Sequence, residues 1–357
     1  MTCHCGVNDL PRFSPNGNQA QAFAIQSSAM TSICCFMLDE SQLPLRGAIQ
    51  VVGCTGRIAT NHEGLLGVLS SICTPKPSGA AIFRLLVWVH SEPPTPASFP
   101  YFRGLQHLVF ARFGCSNLFV FDLLTRSIQA AITAELAHDR SFWQERLLPI
   151  AVGVFGAGIG VLPLHAACLS FNGRGVLIAG VSGTGKSNLS LAMAQIGADF
   201  ISDDWTYIAD NDGDLCAHGM FAPIKLLPDA VRYFPELRQY DVRVSLNGEL
   251  AYELSPGDTL QLRVEGRCKP ACFVFYERVP TGGPELIRVS GEQASKYIQA
   301  SIEPLPLQLS RLSEQREQIA SRIAELPCWH FRHSGNPHLA ARALHEFLAP
   351  QQIRIHT

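Results

Sequence analysis

The sequence predicts an α/β protein: a phosphate-loop domain preceded by a smaller β-rich or α+β domain. Three observations carry that prediction. A chain of 357 residues has room for about two domains at roughly 150 residues each. Its second half alternates strand-like apolar runs with helix-like ones. Between one such strand and one such helix stands Gly180-Val181-Ser182-Gly183-Thr184-Gly185-Lys186-Ser187, which fits the pattern G-x-x-x-x-G-K-[ST] in full.

Composition narrows the function. Hydrophobic residues make up 47% and charged residues 16%, against a usual charged share of about 25%, so the chain as a whole is not disordered. The 28 basic and 30 acidic side chains nearly cancel, which leaves no general electrostatic grip on nucleic acid or an anionic membrane. Only Lys76, Lys186, Lys225, Lys269 and Lys296 are lysines. Twelve cysteines are scattered along the chain, and Met1-Thr2-Cys3-His4-Cys5 lacks the basic start and apolar run of a secretory signal, so a reduced, cytoplasmic protein is expected. Cys3, His4 and Cys5 have no second ligand pair at zinc-finger spacing, and Cys268 and Cys272 are remote in sequence.

Residues 1–30, rich in Asn, Gln, Ser and Ala, read as a tail without fold. Residues 31–140 read as the small domain. Its apolar runs Ala48–Cys54, Ala81–Val89 and Leu118–Phe121 are separated by Gly- and Pro-bearing segments such as Glu92–Pro96. A helical pattern follows over Ser127–His138 and another over Phe142–Val154.

Residues 141–350 read as the phosphate-loop domain. Leu147–Gly173 contains no Asp, Glu, Lys or Arg, a length that could cross a bilayer at about 20 residues per span. Its glycines, prolines and His165 favour a buried helix followed by a buried strand. Gly156-Ala157-Gly158-Ile159-Gly160 hints at a dinucleotide loop, but no acidic residue follows at the required distance. Ala166–Phe171 and Gly175–Ala179 read as strands, Asn188–Ile196 as a helix, Phe200–Ser202 as a strand end and Asp204–Ala209 as its continuation. Asp210-Asn211-Asp212-Gly213-Asp214 resembles the opening of a calcium loop, yet Phe221 stands where the twelfth-position glutamate belongs, so a hairpin turn is expected. Ala271–Tyr276 reads as a strand, Ser290–Gln293 as a capping box for a helix through Ile302, and Leu305–Leu326 as an amphipathic helix with Arg316 in its apolar row. Asn336-Pro337 opens a last helix to Leu348.

The loop carries the chemistry. With 29 glycines in the chain and so few lysines, the pattern would arise by accident only about 0.005 times per chain. Glycine at 180, 183 and 185 allows backbone conformations and close approach that a Cβ would block, so successive N–H groups can face phosphate oxygens. Lys186 supplies a charge to the β- and γ-phosphates and the Ser187 hydroxyl a ligand to Mg²⁺, with the positive end of the next helix adding to the same field. Asp203 and Asp204 follow Lys186 by seventeen and eighteen residues. One carboxylate can hold Mg²⁺ and the other accept a proton from an attacking hydroxyl. His165, fifteen residues before Gly180, begins the strand expected beside the loop strand. Either a core role or a place near the phosphates suits it.

Leu164-His165-Ala166, the Gly180–Ser187 loop and Ile201-Ser202-Asp203-Asp204, in this order and spacing, resemble the catalytic domain of HPr kinase/phosphorylase and, more broadly, the HPr-kinase-like proteins of bacteria. The resemblance spans about residues 145–350 and is dense over 162–208, with echoes at Phe273–Arg278 and over Pro327–Pro337. It implies a fold related to phosphoenolpyruvate carboxykinase and an ATP- and Mg²⁺-dependent kinase that phosphorylates serine on a small protein or peptide. It implies that Gly180–Ser187 and Asn188 hold the nucleotide, that Asp203 is the base, that Ser187 and Asp204 are on the metal side, and that Lys186 and His165 join the catalytic group. Those kinases carry glutamate where Asn188 stands and a Glu-Ile-Arg-Gly-type signature that is missing here, so a peptide acceptor is as open as HPr. The alternative is a nucleotide-binding regulatory module that transfers nothing. The sequence leaves self-association into a homo-oligomer open.

Overall fold

The computed structural model describes residues 38–73, 80–93, 100–211, 213–245, 248–303 and 312–353. The expected N-terminal tail, Cys3, His4, Cys5, Lys76, Pro94–Pro96, Leu305 and Leu309 lie outside the described residues. The protein is mixed α/β with several sheets and divides into two compact units, the first made mainly of the chain up to Phe142 and the second mainly of the chain from Trp143 onward.

The first unit is a seven-stranded sheet: β1 (Leu45–Val51), β2 (Cys54–Thr60), β3 (Phe83–His90), β4 (Tyr101–Leu105), β5 (Leu108–Phe113), β6 (Asn117–Asp122) and β7 (Ser127–Thr133), in the order β1-β2-β3-β7-β6-β5-β4. β2, β3 and β7 run parallel and the other pairs antiparallel. Helix α1 (Glu63–Ile72), capped by the His62 ring at the Leu65 amide, crosses from β2 to β3 and buries Leu65 and Leu69. The expected helix over Ser127–His138 is a strand to Thr133, where the Thr133 hydroxyl caps the short helix α2 (Ala134–His138). Ile128, Ala130 and Ile132 are buried at period two. With a paired strand on each side, the sheet's hydrogen bonds override the local helical preference.

The second unit centres on a nine-stranded sheet built from β8 (Val161–Leu164), β9 (Ala167–Phe171), β10 (Arg174–Ala179), β11 (Asp199–Ser202), β12 (Thr206–Asn211), β13 (Asp214–His218), β17 (Arg267–Arg278), β18 (Glu285–Arg288) and β19 (Cys328–His333). A separate three-stranded sheet joins β14 (Ile224–Leu226), β15 (Arg243–Val244) and β16 (Leu250–Leu254). Strand β17 is the spine. One of its edges pairs in parallel with β10; the other pairs with β13 at its start and with β19 over Phe273–Arg278. One face of the sheet packs against α4 (Lys186–Gln195) and α7 (Pro337–Ile353) through Leu189, Met193 and Leu344, the other against α5 (Gly291–Ala300) and α6 (Ser313–Ala324) through Ile298, Ile319 and Ile323.

That sandwich explains the uncharged run from Leu147. Its helix α3 (Leu148–Phe155) leads through a tight turn at Gly156–Ile159 into β8 and β9, two strands rather than one, and every residue of both strands is buried. The glycines connect helix to strand, the reverse of a dinucleotide loop. Among the described residues no helix is long and apolar enough to cross a membrane. The expected turn joins β12 to β13, with Gly213 at φ +96° and its amide donating to Asp210 Oδ1. Arg322 holds Asp210 and Lys269 holds Asp214, so cationic side chains occupy these acids.

Candidate functional site

Strand β10 ends at Ala179, the loop runs from Gly180 to Gly185, and α4 begins at Lys186. A Cβ on Gly180 would lie 2.4 Å from the Tyr276 carbonyl oxygen of the neighbouring β17, so close strand approach demands glycine here. Gly183 and Gly185 have φ of +83° and +91°, the left-handed region. No side chain caps α4, whose N-cap is Gly185, and this leaves the first amides of a ten-residue helix facing the loop mouth. Thr184 braces the loop by donating to the Val181 carbonyl, while Val181, Ser182 and Gly183 are exposed.

Lys186 folds back over the loop, its ammonium donating to the Gly180 carbonyl at 2.9 Å. The residue is 8% exposed. Burial lowers its pKa, against the attraction of Asp204 and Asp203. Ser187, on the first turn of α4, hydrogen-bonds the Asp203 carboxylate. Asn188 follows on the same turn, half-buried.

The two acids lie just past β11 in opposite environments. Asp203 is 7% exposed and its Oδ1 has no hydrogen-bond partner. Burial, then the charge of Asp204, pushes its carboxyl up to about 7, against hydrogen bonds from Ser187 and the Lys225 amide and the charge of Lys186. The Asp204 side chain is 63% exposed, with Oδ1 2.9 Å from His165 Nε2. Burial of its surroundings works to raise its pKa, but the His165 hydrogen bond and the charges of His165, Lys186 and Lys225 outweigh that and hold it below the usual carboxylate value.

Topology brings His165 and Asp204 together. Strands β8 and β12 pair with each other, and β9 pairs with β11, at different places in the sheet. The chain crosses between those places twice, at His165-Ala166 and at Asp203-Asp204-Trp205. The Thr206 hydroxyl donates to the Ala166 carbonyl at 2.7 Å and lies 2.6 Å from the Ser202 hydroxyl, tying the crossings together. The expected continuous strand through Asp204–Ala209 is therefore broken at the acids, because its halves serve different neighbours. His165 donates its amide to the Ser301 carbonyl and stacks its ring on Trp205 at 5.3 Å. Its ring nitrogen Nε2 meets Asp204 Oδ1.

Sequence reasoning missed Lys225, on β14. Its amide donates to Asp203 and its ammonium adds positive charge near Asp204 while pairing with Glu249. The scarcity of lysine was the available signal, but Ile224-Lys225-Leu226 carries no motif. Glu303, half-buried, is raised by burial against the charges of His165 and Arg316, which places it beside the same crossing. Among the described residues no cluster of three or more His, Cys, Asp or Glu could hold a metal ion. Mg²⁺ needs only one or two protein carboxylates besides phosphate and water. The Ser187 hydroxyl, the Asp204 carboxylate and the orphaned Asp203 Oδ1 are oxygen donors of the type it selects.

No protein-family model matches the sequence, and no curated protein matches it. Among solved structures, the Hpr(Ser) kinase/phosphatase from Coxiella burnetii aligns with 14% sequence identity and a TM-score of 0.30, covering 55% of this chain and 99% of that one. Neither a shared fold nor an activity follows from a likeness at that level.

Proposed function

We propose that the second unit is a phosphate-loop kinase domain of the HPr kinase and phosphoenolpyruvate carboxykinase type, which uses ATP and Mg²⁺ to phosphorylate a serine on a small protein or peptide. The observation that carries the reading is Asp203: a buried carboxylate with a free oxygen, bonded to the serine that ends a complete phosphate loop, and titrating near neutral pH. A base poised near the working pH combines a useful ionised fraction with enough proton affinity to take a hydroxyl proton.

In this reading the loop amides and Lys186 hold the phosphates of ATP, and Ser187 and Asp204 stand on the metal side. Mg²⁺, when bound, neutralises charge on the β- and γ-phosphates. Asp203 takes the proton of the acceptor serine. The serine oxygen bonds to the γ-phosphorus as the bond to the ADP oxygen breaks, and Lys186 stabilises the charge passing to that oxygen. His165 orients Asp204 through the contact of its Nε2 with Oδ1.

The test uses the full chain with isotopically labelled ATP and a library of serine-bearing peptides. Labelled phosphoserine is expected, with Asp203→Asn still binding ATP by calorimetry but transferring nothing. Undiminished transfer by Asp203→Asn overturns the base assignment. ATP binding with no transfer to any acceptor favours a regulatory nucleotide-binding module, for which the specific observation is Asn188 directly after the loop serine.

A further inference from the structure

Strand β14 brings a second lysine to the acid pair. Ile224 and Leu226 are buried in the core shared with Leu189 and Met193 of α4, so the alternation of a strand turns Lys225, between them, to the opposite side. Its backbone amide donates to the Asp203 carboxylate, which also takes the Ser187 hydroxyl. Asp203 is therefore bonded both to the first turn of α4 and to β14. The charges of Lys186 and Lys225 both act on Asp204, one from the loop and the other from the small sheet.

The Lys225 ammonium is held by an exchangeable partner. Glu253, directly across from Lys225 in the register, is taken by Arg146 in a two-pronged ion pair. Lys225 pairs instead with Glu249, just before β16. The Glu249 backbone is fixed, because its carbonyl accepts from the amide and the hydroxyl of buried Ser245 at 2.8 and 3.0 Å. Its side chain is exposed. An exposed lysine–glutamate pair contributes little to stability, whereas a phosphate oxygen accepts a strong charge-assisted bond. The flexible four-carbon stem of lysine can trade one for the other without moving either strand.

We propose that Lys225 is the cation that senses the γ-phosphate: it leaves Glu249 for a γ-phosphate oxygen, so that the group in transit lies between Lys186 from the loop and Lys225 from β14. The inference rests on the proposed use of ATP, and it names what the site discriminates, a nucleoside triphosphate from the diphosphate. For Asp203 to take the proton of a hydroxyl attacking the γ-phosphorus, that phosphate must stand beside Asp203, and Lys225 is anchored to the same carboxylate by its own amide. The transferred group spreads negative charge over its equatorial oxygens. Two carboxylates beside it repel that charge, and a cation on their side offsets the repulsion. Lys225 forms and breaks no covalent bond. A diphosphate offers no oxygen at that position, so Glu249 keeps the ammonium in the ADP complex.

The test is calorimetric titration of the full chain with the Mg²⁺ complexes of ADP and of the β,γ-imido analogue of ATP, which keeps the γ-phosphate and is not turned over. Lys225→Met should weaken binding of the analogue about tenfold or more and of ADP by less than about twofold, and Lys225→Arg should restore most of the loss. Glu249→Gln frees the ammonium in advance, and should raise affinity for the analogue about twofold or more while leaving ADP unchanged. That change is on an exposed side chain, so it decides the matter if Lys225→Met fails to fold. Equal effects of Lys225→Met on the two ligands, or unaltered selectivity in Glu249→Gln, overturn the proposal and leave Lys225 as a pin between β14 and β16. Selectivity of the expected kind without any phosphoserine formed overturns the kinase reading alone; phosphoserine formed with both ligands affected alike overturns the role of Lys225 alone. A parent that binds neither nucleotide overturns both.

Discussion

The Ser187 hydroxyl hydrogen-bonds the buried Asp203 carboxylate, so one bond joins the first turn of α4 to the end of β11. It links the loop serine to an acid that burial has raised to about 7, and it works against that rise.

Asp203→Asn should separate function from stability. Transfer should vanish in the variant, and in the parent the transfer rate should fall as pH drops through about 7 and the base protonates. Stability moves the other way. The folded carboxyl holds its proton up to about 7 while the unfolded one releases it near the ordinary 3.8, so between those values the native state binds more protons and is destabilised as pH rises. Asparagine is neutral at every pH and avoids that loss. The variant should be more stable by on the order of 2–4 kcal/mol near pH 8, with the gap closing toward pH 4. Denaturant titrations at the two pH values measure it.

Lys186→Met tests the loop cation. The lysine is buried, and burial already disfavours its charge, so an unbranched apolar side chain of similar length should leave the fold within about 1 kcal/mol. ATP affinity should drop at least about tenfold, because the Lys186 ammonium is the charge that lies on the loop, at the Gly180 carbonyl. A calorimetric titration with unchanged affinity would remove Lys186 from the phosphate site.

Part of this was legible in the residues because it is local. Gly180 to Ser187 specify strand, loop and helix over a short stretch, and each position has a single-residue reason: φ, close approach, charge or hydroxyl. The His165–Asp204 contact needs two chain crossings, at residues 165–166 and 203–205, to be tied by Thr206. No local pattern encodes that, and the same crossing turned one expected strand into β11 and β12. Ser127–Thr133 misled for a related reason: Ile128, Ala130 and Ile132 suit helix or strand, and the choice was made by β3 and β6 on either side. Lys225 reaches the acids through its place on the small sheet.

His165→Phe should expose the orienting role. Phenylalanine can keep the stack on Trp205 but cannot donate to Asp204. The hydrogen bond that holds Asp204 low is lost, so its carboxyl protonates at higher pH than before. Mg²⁺-dependent ATP binding should weaken in the variant, and the deficit should widen as pH falls from about 7 to about 5. His165→Gln, which can donate, should restore part of it. An unchanged pH profile in His165→Phe would show that Asp204 needs no such partner.

Two glycine-to-alanine changes should act in opposite directions. A Cβ at Gly219 would lie 1.8 Å from the Ile201 carbonyl oxygen and 2.8 Å from its carbon. Both atoms are backbone, so the strand itself must move. Ile201 belongs to β11, two residues before Asp203, and displacing it carries the acid pair away from the loop. Gly219→Ala should cost about 2–4 kcal/mol and reduce transfer more than ATP binding, because the loop hangs from β10. At Gly67, exposed in the middle of α1, an added Cβ meets nothing within 4 Å. There the gain in helix propensity acts alone, and Gly67→Ala should stabilise by about 0.5–1 kcal/mol. Thermal melts of the two variants against the parent should therefore shift in opposite directions; a neutral Gly219→Ala would mean that β11 yields without strain and that the acid pair is not held by it.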